Sequence, residues 1–136
     1  MSPRWWPLLG LLAAAAAGAA VLWIFDPHEA GNPLPPCPSL WLTGLFCPGC
    51  GTTRALHALL HGDLPGALAM NPLMVVSLPP VAVLVARELQ LLPQAMAPLA
   101  RHLGNARVWA VVLIGYGVLR NLPWPPFSWL APGGFG

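Results

Sequence analysis

The sequence predicts an all-α, multi-pass membrane protein with about three transmembrane helices and a short interfacial or re-entrant helix, and three observations carry this reading. Hydrophobic residues make up 57% of the 136-residue chain and charged residues only 7%, and mean hydropathy is +0.66, too little polarity to cover a water-facing surface. Three long stretches are nearly free of charge. Between the first two lies LFCPGCGTTRALHALLHG, a Cys-x-x-Cys knuckle that runs into a helix carrying one Arg and two His. The net charge of +2 rests on so few groups that it argues for neither nucleic acid nor an acidic partner. The lipid bilayer is the implied solvent, and residues 1–136 read as a single membrane domain.

Leu8 to Phe25 is an apolar run of 18 residues, which at about 1.5 Å per helical residue nearly crosses roughly 30 Å of hydrocarbon. A span is therefore expected over 7–25. Arg4 and the Ala-rich stretch also look like a secretory signal peptide, but the run continues through Val21 to Phe25 without the polar break that cleavage requires, which favours a retained helix ended by Asp26 and Pro27. A second span is expected over 71–88. Asn71 and Pro72 form an N-cap and first-turn pair, preceded by a short helix; Pro79 and Pro80 should kink the span, and Arg87 and Glu88 end it. Residues 89–103, with Pro93 and Pro98, read as a broken interfacial segment.

The third span is tight, because only 12 uncharged residues, Val108 to Leu119, separate Arg107 from Arg120. That is about 18 Å of helix, so the span is expected to extend over 103–122 and to leave Arg120 in the outer part of the membrane. Arg120 then either snorkels to the headgroups or turns inward to pair with Asp26, Asp63 or a thiolate. Trp124, Phe127 and Trp129 fit an interfacial aromatic anchor. Arg4 lies before the first span and Arg87, Arg101 and Arg107 lie between the second and third, whereas the loop of 26–70 sets Arg54 against Asp26, Glu29 and Asp63. By the positive-inside rule the amino terminus is cytoplasmic and the cysteine-bearing loop is extracytoplasmic.

Within that loop the Pro-, Gly- and Asn-rich start is expected to be irregular, with His28 a solvated residue. Leu40, Trp41, Leu42, Leu45 and Phe46 are too apolar for a free loop and should bring Cys37 near the knuckle. After Gly51, Thr52 or Thr53 can cap a helix that runs to His61 and stops at Gly62. On it Arg54, His57 and His61 share one face, and Leu56, Leu59 and Leu60 the other. Its first turn adjoins the cysteines, so the helix dipole and Arg54 can favour a thiolate there.

Three chemistries compete for the knuckle. Cys47 and Cys50 can cycle between dithiol and disulfide, with Arg54 as thiolate stabiliser and Cys37 as an exchanging thiol. Alternatively Cys47 and Cys50 present two thiolates to zinc, with Cys37 and either His57 or His61 completing four ligands, although the second knuckle of a double-knuckle site is missing. Thirdly, a disulfide from Cys37 braces the loop and leaves an odd thiol. Arg120, Asp63 and Asn71 are the polar partners at hand. Ser39, Ser77 and Ser128 have no catalytic motif around them, there is no phosphate loop, and Met70, Met74 and Met96 suit packing better than copper ligation.

Residues 42–72 and the segment GVLRNLP of residues 117–123 resemble the uncharacterised bacterial membrane protein family catalogued as domain of unknown function 2752. The resemblance rests on Cys47, Pro48, Cys50, Gly51, Thr53, Arg54 and Ala55 in a Cys-Pro-x-Cys-Gly-x-Thr-Arg-Ala core, and on the pair Asn71 and Pro72. It implies a small multi-pass protein of the bacterial cytoplasmic membrane and no particular reaction. The functional expectation is an extracytoplasmic thiol or metal centre serving a membrane or envelope partner; the alternative is a noncatalytic subunit or scaffold whose cysteines only brace the loop.

Overall fold

The computed structural model describes residues 5–31, 33–34 and 37–133, and among these there is helix, turn and bend but no strand. Arg4, part of the charge pattern that orients the chain, lies outside the described residues. Seven α-helices follow in order: α1 Trp5–Ile24, α2 Pro38–Thr43, α3 Thr52–Leu60, α4 Leu64–Met70, α5 Pro72–Glu88, α6 Ala97–Leu103 and α7 Ala106–Leu119, with 3-10 turns at Gln94–Met96 and Phe127–Leu130.

Among the described residues one helix is long and apolar enough to cross a membrane by itself, over Trp6–Ile24, and it overlaps the stretch 7–25 in which the first span is expected. Leu11, Leu12, Trp23 and Ile24 on it stand exposed, a surface that water does not tolerate and lipid does. Up to two more spans arise if bent helix pairs are counted as single crossings, α4 with α5 at 110° and the Gln94–Leu103 segment with α7 at 48°. The first bend falls at Asn71 because Pro72 lacks an N–H and disfavours helical backbone in the residue before it. Asn71 is accordingly extended, and its side chain accepts from the Met74 N–H, capping α5 as expected. The helix continues unbroken through Pro79 and Pro80 to Glu88.

At the third span the structure departs from the sequence reading. Where one helix is expected over 103–122, α6 ends at Leu103 with Gly104 as its C-cap, and α7 covers Ala106–Leu119, started by Asn105, whose side chain accepts the Arg107 N–H at 3.0 Å. Residues 89–103 form the expected broken segment, a 3-10 turn followed by short α6.

The packed core is small and lies between α3 and α4. Ala55, Ala58 and Ala67 are buried together, with Leu59, Met70, Met74 and Val75 against them. Small side chains let the two helices approach closely, as in lipid-embedded bundles. Gly62, at φ 77°, makes the turn between them, and Asp63 caps α4 by accepting the Gly66 N–H at 2.9 Å. Asp63, named above as a partner for Arg120, is thereby committed to a helix start.

Candidate functional site

The α3–α4 hairpin and the end of α7 together fix the knuckle. Gly51, not Thr52 or Thr53, is the N-cap of α3, and it sits at φ 84° with no side-chain cap bond. The position admits only glycine: a Cβ there would lie 2.5 Å from the Met70 carbonyl oxygen. Thr52, freed from capping, accepts instead from Asn71 Nδ2 at 3.0 Å. On the other side Gly117 lets α7 close on the turn, since a Cβ there would meet Pro48 Cγ at 3.0 Å.

Three buried or half-buried polar side chains hold the turn by its main chain. Asn71, 1% exposed, donates to the Pro48 carbonyl at 3.1 Å and receives the Tyr116 hydroxyl on its oxygen at 3.1 Å. Asn121 makes a reciprocal pair with Phe46, donating to its carbonyl at 2.8 Å and accepting its N–H at 2.8 Å. Arg120, also 1% exposed, donates from Nη1 to the carbonyls of Cys47 at 2.9 Å and Pro48 at 3.3 Å. Its guanidinium stacks over Tyr116 at 4.9 Å and Phe46 at 5.7 Å. Of the alternatives for Arg120, the inward one is realised, but neither Asp26 nor Asp63 is its partner. Nε and Nη2 are buried without a hydrogen bond among the described residues.

The held turn brings all three cysteines together as free thiols. Cys37 Sγ lies 2.7 Å from Cys50 Sγ and 3.4 Å from Cys47 Sγ, and Cys47 Sγ lies 3.2 Å from Cys50 Sγ. They are close enough to hold a metal ion. Cys50 is the buried member, and the Cys47 N–H donates to its sulfur at 3.2 Å. Burial, followed by the contacts of the other two sulfurs, pushes the Cys50 thiol up to about 12. The Cys37 thiol falls to about 7, chiefly because Cys50 donates to it and then because the Leu40 amide at the start of α2 favours the thiolate.

A cleft of about 800 Å³ opens onto the sulfurs, lined in part by Pro27, Leu34, Phe46 and Arg54. Arg54 is thus brought to the site, with its Nε donating to the Pro27 carbonyl at 3.4 Å. His57 and His61 are not: the converging ligand group is Cys37, Cys47 and Cys50. The two histidines turn toward α1, where His57 Nδ1 contacts the Leu22 carbonyl at 2.6 Å and His61 stacks on Trp23. His28, read as a solvated loop residue, lies 2.9 Å from Asp26 Oδ1. Its main-chain and ring hydrogen bonds hold the Asp26 carboxyl below its ordinary range. Tyr116 and Asn121 escaped the sequence reading of the site, although Asn121 stands inside the segment that carries the family resemblance; a lone amide or tyrosine in an apolar stretch gives no other signal.

Fold and site define a helical chain with at least one membrane-length helix and a three-cysteine centre beside it. Residues 37–85, from Cys37 through α2, α3, α4 and most of α5, match the family model described as protein of unknown function (DUF2752). No curated protein and no solved structure gives a significant match.

Proposed function

We propose that the chain is a three-span protein of the bacterial cytoplasmic membrane whose extracytoplasmic loop binds a thiophilic metal ion, zinc in the first instance, through Cys37, Cys47 and Cys50. The observation that carries this reading is the convergence of three free sulfurs within 3.4 Å of one another. Zinc–sulfur bonds of about 2.3 Å in a tetrahedral set separate sulfurs by roughly 3.8 Å, so the sulfurs, now 2.7, 3.2 and 3.4 Å apart, need to part by about 0.4–1.1 Å to accept the ion.

Charge supports the same reading. A buried guanidinium with no carboxylate beside it is costly, and three thiolates on one divalent ion carry a net negative charge that offsets it. No fourth His, Cys, Asp or Glu donor joins the three sulfurs among the described residues, so an ion held by them would keep a position for water or a ligand, and the cleft that the three cysteines line would admit it. That pattern belongs to sites that exchange or act on a ligand, whereas structural zinc is closed by four protein donors. A bound metal would supply Lewis acidity or a transferable ion there; the chain's own residues fix the sulfurs, compensate their charge and shape the approach past Arg54. An envelope or membrane partner that delivers or takes up the ion would suit such a site.

A thiol-exchange reading has its own support in the pairing of Cys37, exposed to the cleft, with buried Cys50 at 2.7 Å. In it Cys37 thiolate attacks a partner's disulfide, one partner sulfur leaves as thiolate, and Cys50 resolves the mixed disulfide; the partner gains two electrons and this chain ends as the disulfide. Metal analysis and thiol counting on detergent-purified, untagged protein separate the readings. A stoichiometric ion lost in Cys47→Ser supports the metal site. A readily reduced disulfide without metal supports exchange, and a disulfide that resists mild reductant reduces the cysteines to a brace.

A further inference from the structure

Three of the chain's six arginines, Arg87, Arg101 and Arg107, fall within 21 residues, with His102 beside them and Glu88 the single acid of that stretch. The fold gathers them at one corner. Arg87, in the last turn of α5, reaches α6 and donates from Nη1 to the Ala100 carbonyl at 3.5 Å, in the turn that also carries Arg101 and His102. A Cβ at Gly104, where α6 ends, would lie 3.5 Å from the same nitrogen. Beyond Gly104, Trp109 Nε1 donates to the Leu103 carbonyl at 2.6 Å and the Asn105 side chain accepts the Arg107 N–H at 3.0 Å, so Arg107 is fixed in the first turn of α7 at the same corner. Arg87, Arg101, His102 and Arg107 are all exposed. None of them is in an ion pair among the described residues, and neither is Glu88.

We propose that this corner binds the headgroup of an anionic phospholipid, with Arg101 and Arg107 on its phosphate. Three guanidinium groups against one carboxylate leave a net charge of +2 with His102 neutral, and the protein itself supplies no counter-charge. Guanidinium forks match phosphate oxygens in paired hydrogen bonds. Arg87 has one nitrogen committed to Ala100 and adds to the local field more than to the grip. Leu91, Leu99 and Val108, in the same stretch, are exposed as well. Charged groups are costly in hydrocarbon and apolar surface is costly in water, so a segment that exposes both belongs at the boundary of the two. An acidic peptide would answer the charge and leave the apolar side chains in water; a phospholipid answers both. The inference needs the chain to lie in a membrane, which α1 and the composition support, but neither the sulfur centre nor a particular number of crossings.

The test titrates the untagged full chain, in a mild nonionic detergent, with phosphatidylglycerol or with phosphatidylcholine of the same acyl chains, and counts bound lipid by native mass spectrometry. Phosphatidylglycerol should bind about tenfold or more tightly than phosphatidylcholine. A basic residue near an anionic lipid surface contributes roughly fivefold, so Arg101→Gln combined with Arg107→Gln should lower phosphatidylglycerol binding by about 25-fold and leave phosphatidylcholine binding unchanged. Glu88→Gln, which removes the one opposing charge, should strengthen it. If the double variant does not fold, Arg101→Gln alone decides in the same way, with about a fivefold loss. Equal binding of the two lipids, or a preference that survives the arginine substitutions, overturns the proposal. Displacement of the lipid by inorganic phosphate at equal concentration also overturns it and assigns the corner to a free anion.

Discussion

Arg120 is the residue on which the proposed metal centre turns, because it is buried, bonds the main chain of the knuckle and leaves two nitrogens unpartnered among the described residues. Outer-shell partners of metal ligands typically contribute 10–100-fold to affinity. Arg120→Met should therefore weaken zinc binding by about that factor, measured by competition with a chromophoric chelator, while the metal-stripped variant loses the cost of an uncompensated buried charge and is destabilised less than the loaded one. An unchanged affinity would remove the guanidinium from the site. The thiols make a second residue-level prediction. In chelator-treated protein the alkylation rate of Cys37 should rise with a midpoint at about pH 7, against an ordinary thiol value of 9.0, while Cys50, held at about 12, stays protonated and slow. The sign follows from the direction of each shift: a lowered thiol pKa enlarges the thiolate fraction at neutral pH, and a raised one shrinks it. Mass mapping of the alkylated peptide across pH checks both. The sequence made these cysteines legible by type and spacing, but not the role of the histidines. Helical spacing puts Arg54, His57 and His61 on one face without telling which neighbour that face meets, and α1 takes the histidines.

Among the elements, the α4–α5 bend couples α5 to the knuckle through one side chain. Asn71 caps α5 with its oxygen and ties Pro48 and Thr52 with its nitrogen. Asn71→Ala should cost roughly 1 kcal/mol for the cap and about 1–3 kcal/mol for the carbonyl left unpaired. Asn71→Asp retains the cap acceptor but sets an acceptor oxygen against the Pro48 carbonyl in a buried position, so thermal melts in detergent should rank it below wild type, with its metal affinity falling toward that of the Ala variant. Equal metal affinity in all three proteins would show that the bend does not govern the knuckle. This bend could be read from Asn71-Pro72, since the cap and the missing N–H are local properties. The end of the third helical segment could not: hydropathy alone asks for about 20 residues to cross the bilayer, whereas the Asn105 cap decides where α7 starts. The N-cap of α3 was likewise hidden, because a threonine next to a glycine reads as the better cap until the Met70 carbonyl is seen to exclude every side chain but glycine's at position 51.

At the scale of the whole molecule, composition and one helix long and apolar enough to cross a membrane support membrane association, and the proposed topology requires each bent helix pair to be a single crossing. With the loop on the outer face, a membrane-impermeant maleimide added to intact spheroplasts after chelation should label Cys37; protection there, with labelling in inverted vesicles, would reverse the orientation. The central claim is the three-thiolate metal centre, and cobalt(II) substitution tests it most directly. Purified wild-type protein should develop thiolate-to-cobalt charge-transfer absorption saturating at one equivalent, and Cys37→Ser, Cys47→Ser and Cys50→Ser should each diminish it. Absence of that absorption in fully reduced protein, or its persistence in all three variants, would contradict the account.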